Sequence, residues 1–62
     1  MAPTVASPIR VVVIDDEALI RTGFSYILNA AADIDVVATA DGVGAIDVLD
    51  TARPDVVLLD IR

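Results

Sequence analysis

Ile9-Arg10-Val11-Val12-Val13-Ile14-Asp15-Asp16-Glu17 is the stretch on which the reading of this chain turns. Apart from Arg10, its first six residues are all β-branched and apolar. A run without polar alternation suits a strand covered on both faces, as in a parallel sheet. It ends in three consecutive carboxylates. A second stretch, Val56-Val57-Leu58-Leu59-Asp60, has the same form: an apolar strand closed by an acid.

Between these strands the pattern changes period. From Ala18 to about Ala32, Ile20, Phe24, Ile27, Leu28 and Ala31 fall on one helical stripe, and Arg21, Ser25 and Asn29 lie off it. Gly23 weakens that helix modestly. Ile34 to Ala40 reads as a strand, and Asp41-Gly42 as a turn. Val43, Ile46 and Leu49, with Ala45, Val48 and Ala52, predict a second, weaker helix that ends before Arg53-Pro54-Asp55. The expected order is strand, helix, strand, helix, strand with short loops, hence right-handed crossovers and a parallel sheet: half of a doubly wound α/β domain. Gly42 and Gly44 lack the third glycine of a dinucleotide-binding turn.

Open parallel sheets bind ligands at the carboxyl ends of their strands. If the first and third strands are neighbours, about 4.8 Å apart, the carboxylates of Asp15, Asp16 and Asp60 stand roughly 5–8 Å apart. Such a cluster repels itself unless a cation shares it. With no His and no Cys in the chain, the ligands must be oxygens, which points to an ion of the Mg²⁺, Mn²⁺ or Ca²⁺ kind, with Mg²⁺ (or Mn²⁺) the one that suits a phosphoryl site. The layout suits magnesium-assisted phosphoryl transfer, with Asp60 as the in-line nucleophile. Each acid also has a plainer role. Asp15 or Asp16 can cap the following helix, with Glu17 in its first turn. Asp60 can simply open a loop, and Asp41 can serve the turn. Asp33, Asp35, Asp47, Asp50 and Asp55 read as solvated surface, and Phe24 and Tyr26 as helix packing.

The 62 residues allow one small domain, which buries only about 60% of its unfolded surface. The 56% hydrophobic content is that of a packed α/β chain, not a disordered one. A net charge of −6, no lysine, and four scattered arginines (Arg10, Arg21, Arg53, Arg62) argue against nucleic-acid binding by this segment. No apolar run reaches membrane-spanning length, and Met1 to Pro8 lacks the pattern of a signal peptide, so residues 1–8 are expected to be a flexible leader on a cytoplasmic protein.

The segments Arg10 to Glu17 and Arg53 to Arg62 together resemble the receiver domain of two-component response regulators, over essentially everything after the leader. The Asp60-Ile61-Arg62 ending is similar to receivers of LuxR-type transcription regulators. The resemblance implies a flavodoxin-like fold of strand order 2-1-3-4-5, of which residues 9–62 supply the 2-1-3 part. It implies that Asp60 accepts a phosphoryl group from a phosphohistidine of a sensor histidine kinase. Asp16 would bind Mg²⁺ directly, Asp15 through water or as support, and the backbone carbonyl of Arg62 would be a third ligand. The protein would then be a switch rather than an enzyme, and DNA would be reached only through an output domain outside this chain. Receivers run to about twice this length and place a Ser/Thr and a Lys on later strands. The expectation is therefore an N-terminal portion of a longer receiver, with an open strand edge that favours self-association or dimerisation. Two other readings compete. A haloacid-dehalogenase-type phosphatase would need an Asp where Arg62 stands. A non-catalytic pseudo-receiver or interaction fragment would not need the complete acidic trio.

Overall fold

Strand alternation and two short crossovers account for the architecture. The computed structural model describes residues 7–60. Most of the expected leader, and Ile61 and Arg62, lie outside them. The elements are β1 (Ile9–Asp15), α1 (Ala18–Asn29), β2 (Ile34–Ala40), α2 (Ala45–Ala52) and β3 (Val56–Asp60). All strands run parallel in the order β2-β1-β3. This is the flavodoxin-like half-sheet the sequence implies, with β1 in the centre.

β1 carries the core. Val11 to Asp15 are all buried, and Val12 and Val13 are fully so. On one face Val12 and Ile14 join Ala40, and Ala45, Val48, Leu49 and Ala52 of α2 pack over them. Alternation turns Val11 and Val13 to the opposite face, the side of α1. Both helices rest on β1 and β2, whereas β3 meets only β1 among the described elements.

β2 holds an irregularity. Val11 pairs with Val36, but Val12 pairs with Ala38, so Val37 is an extra residue. Strict alternation is lost there, and Val36, Val37 and Ala38 are all half-buried. The Val36 N–H donates to Asn29 Oδ1 at 2.8 Å, tying the end of α1 to this edge strand.

The lower edge of the sheet is latched by backbone. Ile9 N–H donates to the Asp33 carbonyl at 2.8 Å, and Asp55 N–H to the Arg10 carbonyl at 2.9 Å. The Arg10 N–H in turn donates to Asp55 Oδ2 at 2.9 Å, and Arg10 Nη1 to the Arg53 carbonyl at 3.0 Å. Arg53 caps α2 in the left-handed region, φ 48° and ψ 61°, which costs about 1–2 kcal/mol for a residue with a Cβ. Pro54 excludes ordinary helix at Arg53, and the Arg10 clamp holds the turn that results. Asp55, expected as solvated surface, is exposed but sets the register of β3 on β1.

Several expected details differ. α1 ends at Asn29 rather than near Ala32, because Ala30 N–H closes a short turn onto Ile27 at 3.3 Å. Ile27 is 68% exposed, so the inner face of α1 runs through Ile20, Phe24 and Leu28. α2 begins at Ala45 rather than Val43. Asp41 Oδ1 accepts the Gly44 N–H at 2.7 Å and spends residues 42–44 on a turn. Val43 and Ile46 therefore face outward, and Ala45, Val48, Leu49 and Ala52 make the packed stripe.

Candidate functional site

The register of the sheet brings the two acidic strand ends together. Asp15 and Asp60 are direct partners across the β1–β3 ladder, so their side chains leave the same face of adjacent strands. Asp15 is buried at 2% exposure and Asp60 is half-buried. A buried carboxylate needs hydrogen bonds or a cation. Asp15 Oδ1 accepts the Glu17 N–H at 2.8 Å, which turns the chain out of β1.

Asp16 follows the last residue of β1 and is exposed. Its Oδ1 lies 3.4 Å from the point a Cβ on Gly42 would occupy. The carboxylate therefore rests against the turn after β2, at ordinary van der Waals distance from that point. The expected helix cap is different. Glu17, in extended conformation, is the N-cap of α1, with no side-chain capping bond, and neither Asp15 nor Asp16 occupies that position. Glu17 accordingly precedes the first helical turn rather than lying in it.

Asp15, Asp16 and Asp60 thus share the carboxyl end of the sheet, two of them in direct register. Among the described residues no group of three acidic side chains closes on one point tightly enough to hold an ion by itself. The donor set still fits Mg²⁺, a hard ion that takes one or two carboxylates and keeps water or phosphate oxygens in its remaining positions. The Arg62 carbonyl, expected as a further ligand, lies outside the described residues.

The sequence reading missed Arg21, placed there off the helical stripe among scattered charges. Its Nη1 donates to the Asp15 backbone carbonyl at 2.6 Å. The available signal was its position, four residues after Glu17 and one turn into α1, back above the strand end.

A parallel β2-β1-β3 sheet with aspartates at adjoining strand ends defines a receiver-type α/β domain. The response regulator receiver domain family matches residues 11–62, and the chain belongs to that family. It is 53% identical over 53 residues to the oxygen regulatory protein NreC of Staphylococcus epidermidis, covering 84% of this chain and 24% of NreC. NreC of Staphylococcus aureus is 51% identical over the same length. The signal receiver domain of the putative response regulator NarL from Mycobacterium tuberculosis superposes with a TM-score of 0.81 at 40% identity, covering 90% of this chain and 46% of that one. The chain thus spans about a quarter of the curated relatives it matches. These relatives agree with the LuxR-type resemblance of the Asp60-Ile61-Arg62 ending. No helix among the described residues is long and apolar enough to cross a membrane.

Proposed function

We propose that this chain is the phosphoacceptor portion of a two-component response regulator and that Asp60 is the acceptor. The observation that carries the proposal is the in-register pairing of Asp60 with buried Asp15 at the carboxyl ends of adjacent parallel strands. A carboxylate oxygen of Asp60 attacks the phosphorus of a phosphohistidine on a sensor histidine kinase. The P–N bond breaks, its electron pair stays with the imidazole, and an aspartyl phosphate forms. Asp15, Asp16 and Asp60 are the side chains that would hold Mg²⁺, and the Arg62 carbonyl is the further ligand the family resemblance implies. When bound, the ion neutralises charge on the transferring phosphoryl oxygens. Asp15 stays fixed by its bond from Glu17 and sets the spacing to Asp60.

In this reading residues 1–8 are a leader, and residues 9–62 are the first part of a cytoplasmic receiver whose remaining strands supply the Lys and Ser/Thr. Phosphorylation shifts a two-state equilibrium and so acts on DNA through an output domain. The chain accepts a phosphoryl group and is not itself an enzyme in the usual sense. Apolar β3, covered by no helix among the described residues, supports self-association of the 62-residue chain. A monodisperse folded monomer in sedimentation would overturn that last point.

The decisive test is Mg²⁺-dependent labelling by a small acyl phosphate donor in the intact protein carrying this sequence. Labelling is expected in the wild type and absent from Asp60→Asn. Undiminished labelling of Asp60→Asn would exclude Asp60 as the acceptor.

A further inference from the structure

Three hydrogen bonds close a ring around Asp16. The Glu17 N–H donates to Asp15 Oδ1 at 2.8 Å. The Arg21 N–H donates to the Glu17 carbonyl at 3.1 Å, the first backbone bond of α1. The Arg21 side chain then turns back, and its Nη1 donates to the Asp15 carbonyl at 2.6 Å. Residues 15 and 17 are held from both sides, and Asp16 is the residue between them.

The position of this ring matters. The β1–β2 ladder ends at Ile14 and Ala40 and the β1–β3 ladder at Asp15 and Asp60, so Asp16 lies beyond the last partner pair on either side of β1. Asp16 is exposed. Its carboxylate can stay beside Gly42 only if the backbone on either side is fixed. Arg21 suits that task. It is half-buried, its guanidinium is always charged, and a charged donor to a carbonyl makes a short, strong bond. Its planar fork is pre-organised, so less rotamer freedom is lost than for lysine.

We infer that Arg21 is a positioning residue for the Mg²⁺ site, because its guanidinium closes the ring that holds the Asp16 backbone, and hence the Asp16 carboxylate, at the carboxyl end of the sheet. This rests on the site reading above. Two physical effects of Arg21 oppose one another. As a cation at the carboxyl end of β1 it repels Mg²⁺; as the closure of the ring it pre-organises a ligand. The ring prevails, because the guanidinium is engaged by the Asp15 carbonyl and the flanking solvent screens its charge.

The sign of the Mg²⁺ response decides between these effects. Mg²⁺ affinity is measured by titration calorimetry with MgCl₂ on the intact, unphosphorylated protein, and amide hydrogen exchange is followed at Glu17. Arg21→Met keeps the aliphatic stem that packs in the half-buried site, and so keeps the fold, but removes the donors. It is expected to bind Mg²⁺ about tenfold more weakly, the low end of the effect of outer-shell partners, and to exchange the Glu17 amide faster. Arg21→Lys, with a single ammonium nitrogen on a flexible arm in place of the planar fork, should fall between Arg21→Met and the wild type. Thr22→Ala, which removes only the exposed bond from Thr22 Oγ1 to the Ala18 carbonyl, should bind as the wild type does. Affinity in Arg21→Met equal to or above wild type overturns the role of Arg21, as does an equal loss in Thr22→Ala. If the wild type binds Mg²⁺ and Asp16→Ala does not, while Arg21→Met binds it as tightly as the wild type, the inference about Arg21 alone falls. A wild type that binds no Mg²⁺ overturns the site and the inference together.

Discussion

β1 and β3 are both largely aliphatic and end in the same acid, yet their environments differ. Val12 and Val13 of β1 are fully buried, whereas Val56, Val57 and Leu59 of β3 are 49%, 42% and 55% exposed. β1 has a strand on each side and a helix on each face; β3 has β1 on one side and no helix among the described elements. An apolar run therefore states that a strand requires cover, and position in the sheet decides whether neighbouring elements provide it. The same contrast separates the two aspartates. Asp15 is buried at the end of the central strand, and its partner Asp60 stays half-buried on the outer strand of the described sheet.

The largest effect should come from charge in the central strand. Val13→Asp places a carboxylate at a fully buried position and is expected to cost at least about 3 kcal/mol, enough to abolish cooperative thermal unfolding by circular dichroism. Val57→Asp, on the open strand, should change stability of the 62-residue chain by less than about 1 kcal/mol and reduce its self-association in sedimentation. Equal destabilisation by the two substitutions would mean that β3 is as well covered as β1.

A smaller effect concerns how the two strands are joined. Asp55→Ala removes the acceptor of the Arg10 N–H, and a loss of about 1 kcal/mol is expected in urea unfolding. Arg53→Gly should go the other way. It relieves the left-handed strain and keeps the carbonyl that accepts Arg10 Nη1, for a gain of up to about 1 kcal/mol. A loss on Arg53→Gly would show that the Arg53 side chain itself holds the turn.

The fold was legible to an unusual degree, and for physical reasons. β2 and β3 begin and end where the apolar runs do, because Asp33, Asp41 and Pro54-Asp55 beside them bring turns and charge. The helices were legible as elements but not in their faces. Ile27, Val43 and Ile46 obey the helical period and still point outward. A period fixes relative angles around a helix, and only the sheet beneath it chooses which side is inner. The N-cap position expected of Asp15 or Asp16 belongs to Glu17, which makes no side-chain capping bond, and Asp15 remains in the strand as the partner of Asp60.

At the acidic end, sequence alone determined the kinds of atoms: carboxylates without His or Cys, at the ends of two apolar strands, and therefore an oxygen-liganding chemistry. Local residue preference is enough for that, because strand length and strand-ending charge are local properties. What only the tertiary structure decided is adjacency. The β2-β1-β3 order and the Asp15–Asp60 register join residues far apart in the chain, and the return of Arg21 to the Asp15 carbonyl depends on how α1 leaves the sheet. Register is set by backbone bonds such as those between Arg10 and Asp55, which are made only when the strands dock and which no local pattern records.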